Sequence, residues 1–286
     1  SIFVSASREN FPIDAIKYDN TSARGTSLTI GKNIDETSAI SFNAGLKINT
    51  QNKGKTFVND LASSSVSYSK IFGKNYFIPY AFYTRTNERS EDDLNSRGIG
   101  FNNTYNINQN NSISYSSSFA STKYDEKAST KAVSDDKNND TSTGSLGYNY
   151  TFSDVNLIST KISYTRKDAK KGYNSYDGPG LNIGFTRVLP FGMLKLDKTY
   201  QTNSYRGKNK IIHTVINRKD EIETSLIQLS GRLSKLLPFL KELDPNDEIF
   251  YSLKYVEIDS ESTLLNNSAI RKNTSFNIIK RFSLNE

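Results

Sequence analysis

Apolar residues recur at every second position through much of this chain. Between residues 38 and 50, Ile40, Phe42, Ala44, Leu46 and Ile48 fall on one face, with polar residues or glycine between them. Ile99, Phe101, Tyr105 and Ile107 repeat the pattern in 98–107, and Ile113, Tyr115 and Phe119 repeat it in 112–124. Leu146, Tyr148, Tyr150 and Phe152 carry it through 144–152, and Ile249, Tyr251, Leu253 and Tyr255 through 248–258. In the last such segment, 272–282, Phe276, Ile278, Lys280 and Phe282 share a face opposite Asn277, Ile279 and Arg281. A period of two predicts strands. One alternating strand fits the edge of a soluble sheet equally well. Its repetition along the whole chain predicts a barrel with lipid on its outside and a wet lumen.

The spacers alternate too. Tight turns at 73–75 and 108–110 are interleaved with polar stretches at 87–95 and 125–140. Outer-membrane barrels pair short periplasmic turns with longer external loops in this way. Further strands are predicted at 2–8, 25–33, 61–72, 76–86, 155–166, 180–188 and 193–200. Pro79 interrupts 76–86 and predicts a bulge there, because proline cannot donate to a ladder. Residues 202–215 read as a long basic connection. Residues 222–236 are a strand candidate, though Leu226, Leu229, Leu233, Leu236 and Leu237 also suit a helix. The total is about fourteen strands, an even number as single-chain bacterial barrels require. The expected fold is an all-β transmembrane antiparallel barrel, with residues 1–286 as one domain.

Composition agrees with that pattern. Only 35% of residues are hydrophobic and the mean hydropathy is −0.60, too polar for an ordinary packed core. The 17 Tyr and 16 Phe are too many and too regularly placed for a disordered chain. No run of about 18 apolar residues exists, so a membrane protein of this sequence must cross with strands. Cysteine is absent, which excludes disulfides and thiolate metal sites. The net charge is +7, but Lys and Arg are scattered among Asp and Glu, which argues against nucleic-acid binding. A basic barrel instead favours anionic cargo or lipid head groups. The chain starts at Ser1 without a basic-apolar signal segment, so a mature protein or an excised domain is expected.

Catalytic chemistry is not legible. There is no Gly-x-Ser-x-Gly elbow, and the single histidine, His213, cannot form a metal pair. The oxygen-rich run from Asp135 to Asp140 lacks the Gly and terminal Glu of a calcium loop. No catalytic, metal or cofactor site is therefore assigned, and no enzyme is expected. A barrel lipase would require a Ser–His pair built on His213. The best candidate site is Arg218 with Asp220, two residues apart and so on one face of a strand. Lipid would penalise Arg by about 2–4 kcal/mol at mid-depth. The pair is therefore placed in the lumen or at the rim, either as a plain ion pair or as the anchor of a loop folded into the pore.

The last hundred or so residues resemble the C-terminal barrel of the surface lipoprotein assembly modifier (Slam) family. The resemblance rests on Leu189-Pro190-Phe191-Gly192 at a turn, Tyr205 before a long loop, and Arg218-Lys219-Asp220 opening the next strand. It continues through a Ser- and Asn-bearing loop from Ser262 to Asn267 and a closing strand that ends Lys280-Arg281-Phe282. Residues 237–245 stand where the family has a Gly and Pro turn, and four residues follow Phe282. The resemblance implies a fourteen-stranded outer-membrane barrel that follows a periplasmic repeat domain. It implies a function in delivering lipoproteins or related proteins to the cell surface, without covalent chemistry. The expected partners are outer-membrane lipid, a client protein and the barrel assembly machinery. An aromatic near the C-terminus of the last strand resembles the signal read by that machinery, which singles out Phe276, Ile278 and Phe282. The same polar lumen equally suits a passive porin-like channel for small solutes.

Overall fold

The computed structural model describes residues 2–13, 19–51, 59–88, 93–125, 138–207, 217–241, 249–263 and 269–282. These residues form fourteen strands: β1 (Ile2–Ile13), β2 (Asp19–Asp35), β3 (Ser38–Gln51), β4 (Asn59–Phe72), β5 (Asn75–Glu88), β6 (Asp93–Asn106) and β7 (Asn111–Asp125), followed by β8 (Asn139–Ser153), β9 (Asn156–Ala169), β10 (Tyr176–Leu189), β11 (Gly192–Tyr205), β12 (Lys219–Arg232), β13 (Ile249–Ser262) and β14 (Ala269–Phe282). Each strand pairs antiparallel with its chain neighbours, and β1 pairs β14 from Ile2↔Phe282 to Asn10↔Thr274. The sheet closes on itself and leaves no edge, so every strand satisfies its backbone without water.

The connections alternate in length as expected except between β12 and β13, where the sixteen-residue span 233–248 falls at the end that otherwise carries short turns. Two-residue turns join β2 to β3, β4 to β5, β8 to β9 and β10 to β11. At the first residue of the β4–β5 turn, Gly73 takes a φ of 57°, the left-handed conformation that tight hairpins require. The strand ends that bound 52–58, 126–138 and 206–218 all face the opposite way. By the rule for outer-membrane barrels the two-residue turns are periplasmic.

Side-chain parity sets the two faces. Ile40, Phe42, Leu46, Val66, Ile99 and Phe119 point outward; Ile99 is 64% and Ile162 59% exposed. Only lipid can cover an apolar band of this extent, so the barrel is an outer-membrane one. Tyr251, at 2%, is the one buried hydrophobic residue among those described. The inside therefore holds no packed apolar core.

Two local expectations are corrected and a third is divided. Pro79 produces no bulge. The β4 ladder passes from Ser67↔Tyr80 to Lys70↔Phe77 with unchanged register, and only the pairs of Pro79 and Ile78 are missing. Outside, this place is an apolar hollow of about 590 Å³ bordered by Val66, Tyr68, Pro79 and Phe101. The bulges fall instead at Asn33/Asp35 and Thr151/Ser153, beside turns. Residues 222–236 are strand and helix in succession: β12 ends at Arg232, and one helical turn covers Leu233–Leu236. Of the leucines whose spacing suits a helix, Leu226 and Leu229 lie in β12, Leu233 and Leu236 in that turn, and Leu237 just after it. Strand β11 continues to Tyr205, so part of the expected basic connection is wall.

One sector breaks the apolar band. Lys198, midway along β11, faces outward and is ion-paired with Glu223 of β12. Its ammonium also donates to Ser225 Oγ at 3.0 Å and lies 5.6 Å from the Tyr200 ring centroid. An unpaired lysine there would cost about 2–4 kcal/mol near mid-depth. Glu223 lies nearer the extracellular end of its strand, so the pair draws the lysine toward the head groups.

Candidate functional site

The lumen wall follows from the parity above. Opposite the lipid-facing residues, the strands present Ser, Thr, Asn and Gly, which have donors and acceptors to share across the ladder. Thr29 Oγ1 donates to Asn43 Oδ1 at 2.6 Å, and Asn182 Nδ2 to Thr199 Oγ1 at 2.7 Å. Ser41 and Ser67 share a bond of 2.7 Å, as do Ser116 and Ser145. Gln228 Nε2 donates to Ser252 Oγ at 3.1 Å. These inward side chains are only half-buried, which a water-filled interior explains.

Charge is distributed unevenly around that wall. Lys161, Lys195 and Lys254 point inward from β9, β11 and β13, with Lys195 ion-paired to Asp197 at 2.9 Å. From β4 to β7 no described inward side chain is charged. The lumen thus has a basic half and a neutral half.

At the extracellular end the basic half carries the candidate pair. Arg218 Nε donates to Asp220 Oδ1 at 2.8 Å and its Nη2 lies 2.6 Å from Oδ2. Asp220 shares the inward parity of Gln228, and its side chain is 5% exposed. Ser262 Oγ donates to Asp220 Oδ1 at 2.6 Å. The Arg218 guanidinium stacks 4.6 Å from the Tyr205 ring centroid, and Tyr205 meets Tyr176 at 5.3 Å. Lys167 lies 5.8 Å from the Tyr176 ring. Burial disfavours the charge on Arg218. The bond to Asp220 and the nearby Tyr205 outweigh it and hold the guanidinium pKa above its ordinary value. The pair thus sits on the lumenal side of the rim within a layered aromatic and polar cluster.

The outer side of the same rim has a second clasp. Arg206 donates through Nε to Asp177 Oδ2 at 2.8 Å and through Nη2 to Oδ1 at 3.0 Å, and it also grips Asp168. Arg166 Nε bonds Asp168 Oδ2 at 2.8 Å. The hydrogen bonds to Asp177 and Asp168 raise the Arg206 pKa above its usual value. Arg206 and Arg218 flank the β11–β12 connection, so each end of that connection begins from a pinned arginine.

Sequence reasoning missed Asn203, Tyr176 and Arg206. Asn203 is 5% exposed and faces Asp220 across the ladder. The signal available was parity: Gln201, Asn203 and Tyr205 share one face, and a longer β11 would have united them. Phe276 and Ile278 face outward, half exposed, and of Phe282 the backbone pairing with Ile2 is described. His213 and the run from Asp135 to Lys137 lie outside the described residues. Among the described residues no cluster of His, Asp or Glu is arranged to hold a metal ion.

Comparison with known proteins adds a family and a fold. The family model described as "Protein of unknown function (DUF2860)" matches residues 6–228. No curated protein gives a significant match. The CymD monoaromatic hydrocarbon channel is 11% identical, with a TM-score of 0.55 over 100% of this chain and 89% of that one. The deltaS2 mutant of the TodX monoaromatic hydrocarbon channel is 10% identical, with a TM-score of 0.53 over 99% and 90%. A loop-deleted form of OmpT, an outer membrane protein of Vibrio cholerae, is 8% identical, with a TM-score of 0.51 over 98% of both chains. At such identities the likeness is one of fold.

Proposed function

The chain belongs to the DUF2860 family, and on that premise we propose that this member is a passive outer-membrane channel for small solutes. The observation that carries the reading is the inner wall: outside β5, mainly serine, threonine, asparagine and glycine line a closed barrel that has no packed apolar core. A polar interior of this kind keeps water in the pore, and the width of a fourteen-strand ring leaves room for it. Two barrels of similar fold are themselves channels, which supports the reading. The inward lysines outnumber the described inward carboxylates, which favours anions over cations. The test is swelling of liposomes loaded with the purified protein. Entry of neutral sugars that slows with solute size supports a channel; swelling no faster than in protein-free liposomes opposes it.

A second reading, a translocation barrel that helps deliver lipoproteins to the cell surface, rests on the Slam-like motifs and on one cavity. The motif Leu189-Pro190-Phe191-Gly192 borders a periplasmic cavity of about 640 Å³ that also has Met193, Phe250, Arg232 and Lys235 in its wall. An apolar pocket with a basic margin there suits a segment of a client or of an upstream repeat domain. The barrel assembly machinery is a further partner on this reading, recognising Phe276, Ile278 and Phe282. Surface staining of lipoproteins on intact cells lacking the gene decides it, and unchanged display counts against translocation.

A further inference from the structure

Four consecutive lumenal positions of β5 are Tyr76, Ile78, Tyr80 and Phe82. Their inward direction follows from the register: Ala81 pairs with outward Val66 and Ile99, so its neighbours Tyr80 and Phe82 point the other way. No other strand of the neutral half presents aromatic rings to the lumen over so long a run.

The rings do not project toward the pore axis; they lie across β6. A β-carbon on Gly98 would stand 2.6 Å from Phe82 Cζ, and one on Gly100 would stand 2.6 Å from the Tyr80 oxygen. Glycine at both positions is what permits the rings to rest on the wall. The Tyr80 and Phe82 rings are 6.3 Å apart with planes inclined by only 34°, so they form a continuous shelf. Tyr76 and Ile78 extend the apolar run beyond these two rings, to ~20 Å along the strand at the usual rise per residue.

Hydroxyls border it on both sides. On β4 the inward residues are Ser63, Ser65, Ser67 and Ser69. On β7, beyond the glycines, they are Ser114, Ser116 and Ser118. A serine can donate or accept, so each edge reads a hydroxylated ligand whatever the direction of its bonds.

We propose that this shelf is a binding track for neutral oligosaccharides. The proposal rests on the channel reading and names the class of solute that the channel prefers. A pyranose ring has an apolar C–H face that stacks on an aromatic side chain and a hydroxylated edge that meets the serines. The length of the run spans several such rings. The absence of charged inward side chains from β4 to β7, among the described residues, removes any attraction for ionic ligands in this half. A purely apolar aromatic solute would leave the serine borders unused.

The test is ion current through the purified protein in planar bilayers, titrated with maltohexaose and separately with a polyethylene glycol of equal size and with phenol. The comparison variant carries Tyr80→Leu and Phe82→Leu, which keep bulk and remove the rings. The expected result is concentration-dependent block by maltohexaose, with a half-blocking concentration at least tenfold higher in the variant, each block being measured against that protein's own open current. Equal block by polyethylene glycol, block by phenol alone, or equal block of both proteins would overturn the proposal. Should the double variant not assemble, Tyr80→Leu alone is compared, with a weaker block expected and an equal block counting against. If the unaltered protein carries no current, the channel reading fails on its own. Calorimetric titration of maltohexaose into the detergent-solubilised protein and the variant then decides the track: ring-dependent heat supports it, and no heat or equal heat overturns it.

Discussion

The carboxylate of Asp220 is almost sealed from solvent by the guanidinium of Arg218, at 2.8 and 2.6 Å, and by Ser262 Oγ at 2.6 Å. A carboxylate so placed depends on its partners, because removing one leaves an incompletely paired charge at the rim. Asp220→Asn is expected to lower stability by about 1–3 kcal/mol, the usual cost of an orphaned polar group. Urea unfolding in detergent, followed by tryptic resistance of the barrel, measures it.

The same pair distinguishes a plain ion pair from an anchor. Exchanging the charges, Arg218→Asp with Asp220→Arg, keeps an ion pair but loses the stack on Tyr205 and the bond from Ser262. An anchoring role predicts altered single-channel gating in the exchanged protein and in the double alanine variant. Conductance like that of the unaltered barrel in both would reject anchoring and leave a structural pair.

Lys198 and Glu223 form the corresponding pair on the lipid face. Glu223→Leu strands the lysine and is expected to cost about 2–4 kcal/mol. Adding Lys198→Leu should recover most of that loss, since an apolar pair fits the band. Equilibrium refolding into lipid vesicles compares the three proteins. A single variant as stable as the original would show that Lys198 reaches the head groups unaided.

Much of the fold was legible because one face of each strand meets lipid and the other meets water. In β3 the contrast is complete, with Ile40, Phe42, Leu46 and Ile48 outside and Ser41, Asn43 and Lys47 inside. It blurs in β5, where Phe77 and Tyr83 face out while Tyr80 and Phe82 face in, so the lumenal shelf could not be told from a lipid face. It vanishes at the rim, where both faces of β11 are wet and Gln201 and Asn203 read as loop. Of the candidate site, spacing alone made Arg218 and Asp220 neighbours. Their setting between Tyr205, Tyr176 and Ser262 depends on three strands meeting, and no local pattern records that.

Tyr251 lies flat against Gly192 and Gly231 and donates to the Phe191 carbonyl at 3.1 Å, which secures the Leu189-Pro190-Phe191-Gly192 turn. Tyr251→Phe should cost about 1 kcal/mol, the net worth of one hydrogen bond. Thermal unfolding in detergent reads the loss. A structural role predicts unchanged conductance, and altered lipoprotein display in cells would instead favour the translocation reading.

Single-channel recording in planar bilayers tests the pore most directly. A water-filled, fourteen-strand barrel with a polar wall and inward lysines predicts discrete, ohmic current steps in potassium chloride, with a reversal potential in a salt gradient shifted toward chloride. A folded, inserted protein that carries no current, or steps selective for potassium, would contradict it.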